Sequence, residues 1–251
     1  MQDYKIKFSS IASSKNGNCY LLEGKDTKIL IECGISVQEI EEALKNQLHL
    51  VDACLISNNE FKNNNCAFEV AAKGVNVHAV YDVFADYPKH HRFNPLRFKK
   101  TTGGVAFPAI NIGNEFTVYP YPLDNEAKNI AFVIYSKLSE EKLLFISGVD
   151  YSKIKHKFLG VTHFCMECNY SAEILREVAV QCNATNDLVE KVHKTQYSFE
   201  SLCDYFDVND LKACKEIHLM QVCSKIGDVN LFKNVIETKT KKSVFVYGEL
   251  N

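Results

Sequence analysis

The chain has no tryptophan, no long apolar run and no excess of one charge. No window approaches the ~18 consecutive apolar residues of a membrane span, so we predict no transmembrane helix. The first residues, MQDYKIKFSS, lack the basic, apolar and small-residue regions of a secretory signal, so we expect a cytoplasmic protein. The net charge of −2 neither requires nor excludes a nucleic-acid partner. The 16 phenylalanines and 12 tyrosines supply enough large apolar side chains for a full core.

A second CxxC pair is also missing, although the chain has 10 cysteines. All but two of them occur singly, in stretches such as KILIECGI and DACLIS, as expected of small buried residues in a reducing compartment. Cys165 and Cys168 form the single CxxC. One CxxC without a partner pair is weak evidence for zinc. We therefore favour two thiols on a buried strand over a zinc site.

The order of elements indicates one mixed α/β domain over residues 1–251, because no low-complexity linker or internal repeat divides the chain. The strand-like runs CYLLEG and TKILIEC flank a hairpin turn at GKD, and SSKNGN (13–18) is predicted to be a polar turn. Ser36 with Glu39 predicts a capping box at the start of a helix. Strands in both halves, each half closed by helices, predict two packed sheets with helices outside.

The later part of the chain contains segments with the two-residue period of a strand and segments with the 3.6-residue period of a helix. Strands are predicted in NEFTVYPYPL, NIAFVIYSKL, EKLLFISGV, HFCMEC and EIHLMQV. Helices are predicted in AEILREVAVQC, SFESLCDYF and VNLFKNVIET. The segment DYPKHHRFNPLRFKK (86–100) is basic and bears aromatic residues, without clear periodicity.

The opening segment SIASSKNGNCYLLEGKDTKILIECGISVQEIEEAL (10–44) resembles bacterial metallo-β-lactamase-fold hydrolases of the YycJ/WalJ type. The direct matches are Gly17, Asn18, Cys19, Cys33 and Gly34. Glu32 stands at the family's acidic position, directly before Cys33 and Gly34. The resemblance extends to the last strand and implies a four-layer αββα sandwich. It also implies relatives that act as nucleases or phosphodiesterases.

The chemistry of that family depends on an HxHxDH loop after a strand, followed by a His, a bridging Asp and a final His. These residues hold two metal ions, zinc or manganese, that activate a water. The corresponding positions here fall on Asn58, Glu60, Lys62, Asn63, Asp124, Gly148 and Gln221. No HxH and no DH occurs anywhere in the chain. We therefore expect a degenerate site without a metal cofactor, because amides suit these ions poorly and a lysine repels them.

Three further residues are candidates for a replacement ligand site. His193 lies near a family histidine, and an ordinary loop histidine is the alternative interpretation. Asp150 lies two residues after the vacant bridging position, where we favour a charge pair with Lys62 over a metal. Glu167, in MECNYS, corresponds to an acidic residue that supports the family's metal site, and here we expect it to hold a hydrogen-bonded turn at a strand end.

Our leading hypothesis is a catalytically inactive protein that acts through a protein partner or through a small-molecule or nucleotide ligand in the inherited cleft. A first alternative is a metal-dependent phosphodiesterase or nuclease-like hydrolase with a rebuilt site, in which Glu60, Asp124 and Asp150 hold a hard ion such as magnesium.

A second alternative is a nucleic-acid-binding module that uses residues 89–100. There Phe93 and Phe98 are interleaved with basic side chains, as in proteins that bind single strands. The basic residues are Lys89, His90, His91, Arg92, Arg97, Lys99 and Lys100. Histidines 90 and 91 are adjacent, so they are poorly placed to bind one ion together.

Overall fold

The computed structural model describes residues 4–101, 104–123, 128–151, 154 and 156–249. The chain divides into two compact units, Met1–Leu143 and Leu144–Asn251, and each is described by itself. Whether they act as the single domain expected from the sequence stays a prediction. Within the described residues, no helix combines the length and the apolar character needed to cross a membrane. The cytoplasmic location likewise stays a prediction.

The first sheet lies wholly in the first unit and follows the chain order β1-β2-β3-β4-β5-β6. Its strands are β1 (Lys7–Ser14), β2 (Gly17–Glu23), β3 (Lys28–Ile31), β4 (Ala53–Leu55), β5 (Asn76–Val80) and β6 (Phe93–Leu96). The first three pair antiparallel and β3 to β6 pair in parallel. The carboxyl ends of β3 to β6 therefore share one edge of the sheet, which is where functional loops of such sheets lie.

The hairpin between β2 and β3 is confirmed, since Gly24 N donates to Thr27 O across 2.7 Å. The predicted polar turn at 13–18 is wrong in extent. Strand β1 continues to Ser14 and β2 begins at Gly17, which leaves only two residues between the paired strands. The polar residues of this segment suggested a turn. Ser13 and Asn18 are nevertheless buried and form a cross-strand pair.

Three helices follow in the first unit: α1 (Val37–Ala43), α2 (Phe61–Asn64) and α3 (Ala67–Ala72). The capping box at the start of α1 is confirmed. Ser36 Oγ accepts from Glu39 N, and the Glu39 carboxylate accepts from Ser36 N. After α3 the chain turns at Gly74, whose φ of 100° is a conformation that favours glycine.

The first unit also contributes an antiparallel part of the second sheet: β9 (Ile110–Ile112), β10 (Phe116–Pro122) and β11 (Ile130–Ser136). A separate hairpin is formed by β7 (Lys99–Thr101) and β8 (Gly104–Ala106). Two further hydrogen bonds link segments of the first unit that are distant in sequence. Ile130 N donates to Ser57 O at 2.9 Å, and Ile6 N donates to the Glu141 carboxylate at 2.8 Å. The strands predicted in NEFTVYPYPL and NIAFVIYSKL are confirmed.

Strand β12 (Lys142–Ile146) spans the boundary of the two units. The second unit then contains three parallel strands, β13 (His163–Glu167), β14 (Glu216–Val222) and β15 (Ser243–Gly248). Its helices are α4 (Ala172–Gln181), α5 (Asn186–Thr195), α6 (Phe199–Val208) and α7 (Val229–Thr240). Helix α5 was not expected from the sequence. Its sequence places Leu188, Val189 and Val192 at helical spacing, although none of its residues is buried.

Cys165 lies on β13 and Cys168 follows that strand directly, and both are buried. Burial raises the pKa of both thiols well above the ordinary value. This placement agrees with the predicted pair of structural thiols.

Candidate functional site

The first group of predicted positions lies at the carboxyl end of β4, where three asparagine side chains form a chain of hydrogen bonds. Asn18 Nδ2 donates to Asn63 Oδ1 at 2.8 Å, and Asn63 Nδ2 donates to Asn58 Oδ1 at 2.8 Å. Glu60 N also donates to Asn58 Oδ1, at 3.0 Å. All three amides are buried. The loop therefore folds around a side-chain network that satisfies most of its own polar atoms.

These positions do not fit the pair of dications that the resemblance implies. The Oδ1 atoms of Asn58 and Asn63 already accept hydrogen bonds. Lys62 places its Nζ 3.3 Å from a Glu60 carboxylate oxygen, so the local acid is paired with an ammonium. Among the described residues, no three His, Cys, Asp or Glu side chains are grouped so that they could hold a metal ion. Asp124 lies outside the described residues.

A buried carboxylic acid adjoins this loop. Glu32 is fully buried after β3, with a φ of 65°, and its carboxyl group accepts from Ser57 N at 3.3 Å. Burial raises the pKa of Glu32 from its ordinary 4.5 to about 8, and Lys62 and the hydrogen bonds from Ser57 oppose the shift only in part. The folded protein therefore holds a proton at Glu32 at neutral pH.

This protonation makes stability depend on pH. Because the pKa is higher in the folded chain, Glu32 stabilises the fold fully below pH 4.5, and its contribution falls as the pH rises toward about 8. The slope approaches ~1.4 kcal/mol per pH unit within that window. We expect Glu32→Gln, which mimics the neutral acid, to flatten the curve of unfolding free energy against pH. Urea unfolding at several pH values measures it, and parallel curves for both proteins would contradict the assignment.

A second network lies in the second unit, around the Glu167 carboxylate at the end of β13. Its Oε2 accepts from Ser147 Oγ at 2.8 Å and from Gly148 N at 2.7 Å, and its Oε1 accepts from Asn169 Nδ2 at 3.1 Å. Glu167 is 1% exposed. Its carboxylate thus holds the turn after β12 against the end of β13, in agreement with the structural role expected for it.

Gly148 and Gln221, two of the predicted metal positions, belong to this network. Gly148 has a φ of 73° and offers no side-chain ligand. The strand predicted in EIHLMQV is confirmed as β14, and Gln221 lies within it, at an irregularity of the pairing with β15 where its φ is 61°. Its Nε2 donates to Ser147 Oγ at 3.3 Å. The amide group therefore directs a donor, and not a lone pair, at the position where a ligand is expected.

The second unit also contains a cavity of about 480 Å³ that brings Asp150 and His193 together. Its lining residues are Asp150, Tyr151, Tyr170, Ala172, His193, Lys194, Gln196, Tyr197, Ser198 and Ser201. Glu167 does not line it, but its main-chain oxygen accepts from Tyr151 Oη at 2.5 Å. The cavity thus joins two of the three candidate ligand residues, and the third supports its wall.

His193 lies in the last turn of α5, so the alternative interpretation of a loop histidine is wrong. Its Nδ1 is 2.7 Å from Tyr170 Oη, which fixes the ring at the cavity wall. Gln196 follows α5, and its Oε1 is buried with no hydrogen-bond partner among the described residues. Sequence reasoning missed Gln196 and Tyr197, since only the unrecognised helix α5 indicates that they follow His193 into the same cavity.

The predicted pair between Asp150 and Lys62 joins residues of different units and stays a prediction. The role proposed for Phe93 in stacking on bases stays a prediction, and the ring is half-buried. Phe93 packs within the first unit against Phe84, with ring centroids 4.3 Å apart, and it also contacts Phe68 and Tyr87. The sequence around Phe93 does not reveal these aromatic partners.

No protein-family model matches the chain, and no curated protein sequence matches it. Solved structures match it over nearly its whole length. The metallo-β-lactamase-fold protein YhfI from Bacillus subtilis has a TM-score of 0.67 at 10% identity, over 97% of this chain and 96% of its own. The short form of human tRNase Z has a TM-score of 0.62 at 9% identity, over 98% of both chains. A diphosphatase of the PhnP family has a TM-score of 0.58 at 8% identity, over 98% and 96%. The likeness confirms the expected fold class.

Proposed function

We propose that this chain, which has the metallo-β-lactamase fold, is a non-hydrolytic protein of that fold that holds a small polar ligand in its second unit. The zinc or manganese that the resemblance implies for the family plays no part in this function. The proposal rests on the chemistry of the residues that stand at the metal positions and on the cavity that collects Asp150 and His193.

The observation that carries the proposal is the hydrogen bond between Asn58 and Asn63, at two positions where the resemblance places metal ligands. Asn58 Oδ1 accepts from both Asn63 Nδ2 and Glu60 N, which occupies its two lone pairs, so a cation bound to it would have to displace a donor. Each buried donor left without a partner costs about 1–3 kcal/mol. The amides therefore favour their own network over a metal ion.

The second unit supports the same conclusion independently. The bridging position is Gly148, which has no side chain to offer a ligand. The nearby Glu167 carboxylate is already the acceptor for Ser147 Oγ, Gly148 N and Asn169 Nδ2. A buried carboxylate with this many donors is a structural anchor, because binding a cation would require it to release them.

The cavity offers three kinds of contact to a ligand. His193 and Lys194 can donate hydrogen bonds to an anionic group, and Lys194 is only weakly committed to Glu190, since both side chains of that pair are exposed. Asp150 supplies a hydrogen-bond acceptor. Tyrosine rings supply flat apolar surface. A nucleoside monophosphate combines a phosphate, N–H donors and a flat ring.

Calorimetric titration with adenosine monophosphate tests this ligand class. We expect the intact protein to bind it and Lys194→Gln to weaken binding about tenfold, because one charged hydrogen bond is lost. Lys191→Gln removes the same charge from the exposed side of α5 and should change nothing. Absence of binding, or an equal loss in both variants, would contradict the assignment.

The second candidate is a metal-dependent phosphodiesterase, favoured by the similarity of the fold to that of tRNase Z. It would use Glu60, Asp124 and Asp150. We expect no turnover of bis(p-nitrophenyl) phosphate above the protein-free rate with magnesium, manganese or zinc. Turnover that disappears in Asp124→Asn would favour the enzyme and refute the non-hydrolytic function.

A further inference from the structure

Strand β6 is the outermost strand of the first sheet, and basic side chains lie at both of its ends. We call these residues the basic edge: Lys89, His91, Arg92, Arg97 and Lys99. Pro95 lies within β6, as is common in a strand with one unpaired side. At ~3.3 Å per residue, the five steps from Arg92 to Arg97 span ~16 Å. The basic edge is therefore a strip and not a point.

The cations of this strip are not neutralised by the described residues. Lys89, Arg97 and Lys99 are exposed, and none of their side chains forms an ion pair or hydrogen bond within the part of the chain that the structure describes. Arg92 donates to an amide, Asn76 Oδ1, at 3.3 Å, and not to an acid. Residues 86–100 contain five Lys or Arg and one acid, Asp86. The strip therefore presents a positive field despite the near-neutral chain.

Exposed aromatic rings accompany these charges. Tyr81 is 68% exposed and Phe98 is 46% exposed. The parallel register pairs Val80 with Leu96, so Tyr81 and Arg97 follow directly at the same end of two neighbouring strands. Phe98 packs edge-on against Phe107, with centroids 6.0 Å apart, which supports the ring while it remains exposed.

We propose that the basic edge binds single-stranded nucleic acid, with Arg97 and Lys99 on phosphates and with Tyr81 and Phe98 stacked on bases. A cationic strip alone would suit any polyanion. Exposed rings add preference for unpaired bases, since bases within a duplex are stacked on one another. A membrane surface fits less well, because the exposed apolar groups beside the strip are single rings rather than an aliphatic patch. This surface lies in the first unit, apart from the cavity residues of the proposed function.

Fluorescence anisotropy with a labelled oligonucleotide of about 12 nucleotides tests the electrostatic part. We expect Arg97→Gln with Lys99→Gln to weaken binding at least tenfold at low salt. The dependence of log affinity on log salt should become shallower by ~1.4, since two phosphate contacts are lost. Lys25→Gln with Lys45→Gln removes equal charge elsewhere on the same unit and should leave binding unchanged. An equal loss in this control pair would overturn the proposal.

Phe98→Leu and Tyr81→Leu test stacking without a change of charge. Each should weaken binding of single-stranded RNA and DNA by at least about fivefold and leave duplex binding unaltered. RNA and DNA of one sequence show whether the 2′-hydroxyl contributes. The proposal is overturned if the duplex binds as tightly as the single strand, if neither Leu variant changes affinity, or if phosphatidylserine vesicles bind and the oligonucleotides do not.

Discussion

Replacing Gly34 by alanine is expected to prevent the first unit from folding stably. A Cβ at this position would lie 1.5 Å from the main-chain oxygen of Lys62, 2.1 Å from its carbonyl carbon and 2.8 Å from Asn63 N. All three are backbone atoms, so no side chain can rotate away. The local backbone is also fixed, because Gly34 N donates to Asn18 O and Cys33 N donates to Asn63 O.

The yield of soluble protein and the midpoint of thermal unfolding measure this effect. Gly74→Ala is a suitable control, because a Cβ there meets nothing within 4 Å although the φ is 100°. It should cost only about 1–2 kcal/mol, the penalty of a left-handed conformation. If Gly34→Ala were no worse than Gly74→Ala, the close approach of the 62–63 backbone to Gly34 would be wrong.

Replacing Glu167 by alanine is expected to destabilise the second unit by about 3 kcal/mol or more. The substitution leaves Ser147 Oγ and Gly148 N buried without their acceptor. Asn169 Nδ2 loses less, since it also donates to Gln221 O at 3.1 Å. The cost therefore arises mainly at the turn after β12.

Denaturant unfolding followed by circular dichroism measures this change, since the chain has no tryptophan to report on its own folding. Glu173→Ala, an exposed acid in the first turn of α4, is the matched control and should cost well under 1 kcal/mol. Glu167→Gln keeps one acceptor oxygen and should fall between the two. Equal stability of Glu167→Ala and the control would show that the network contributes nothing.

The sequence predicts best where local chemistry decides the structure. Ser36 and Glu39 are sufficient to place the start of α1, and the alternation of apolar residues places β10 and β11. It fails where a distant contact decides. Ser13 and Asn18 look like turn residues, yet they pair across strands because Asn18 has a buried partner, Asn63, 45 residues later. Polar side chains in a buried network carry no local signal of their burial.

The candidate site shows the same division. The resemblance identifies the positions Asn58, Asn63, Gly148 and Gln221. The residue types there are enough to show that these positions cannot supply imidazole ligands. What the amides do instead depends on tertiary contacts. The positive φ of Gln221 occurs where the pairing of β14 with β15 is irregular, and the cavity at His193 depends on where helix α5 lies. Neither of these tertiary features can be read from the local sequence.

Elemental analysis of the purified protein is the most direct measurement. The protein would be produced with zinc, manganese and iron in the medium, dialysed without chelator, and compared with a metal-binding hydrolase of the same fold prepared alongside it. Because Asn58 Oδ1 accepts from Asn63 Nδ2 and Glu60 N, and Asn63 Oδ1 accepts from Asn18 Nδ2, we expect far less than one ion per chain. Two tightly bound transition-metal ions per chain would contradict this account.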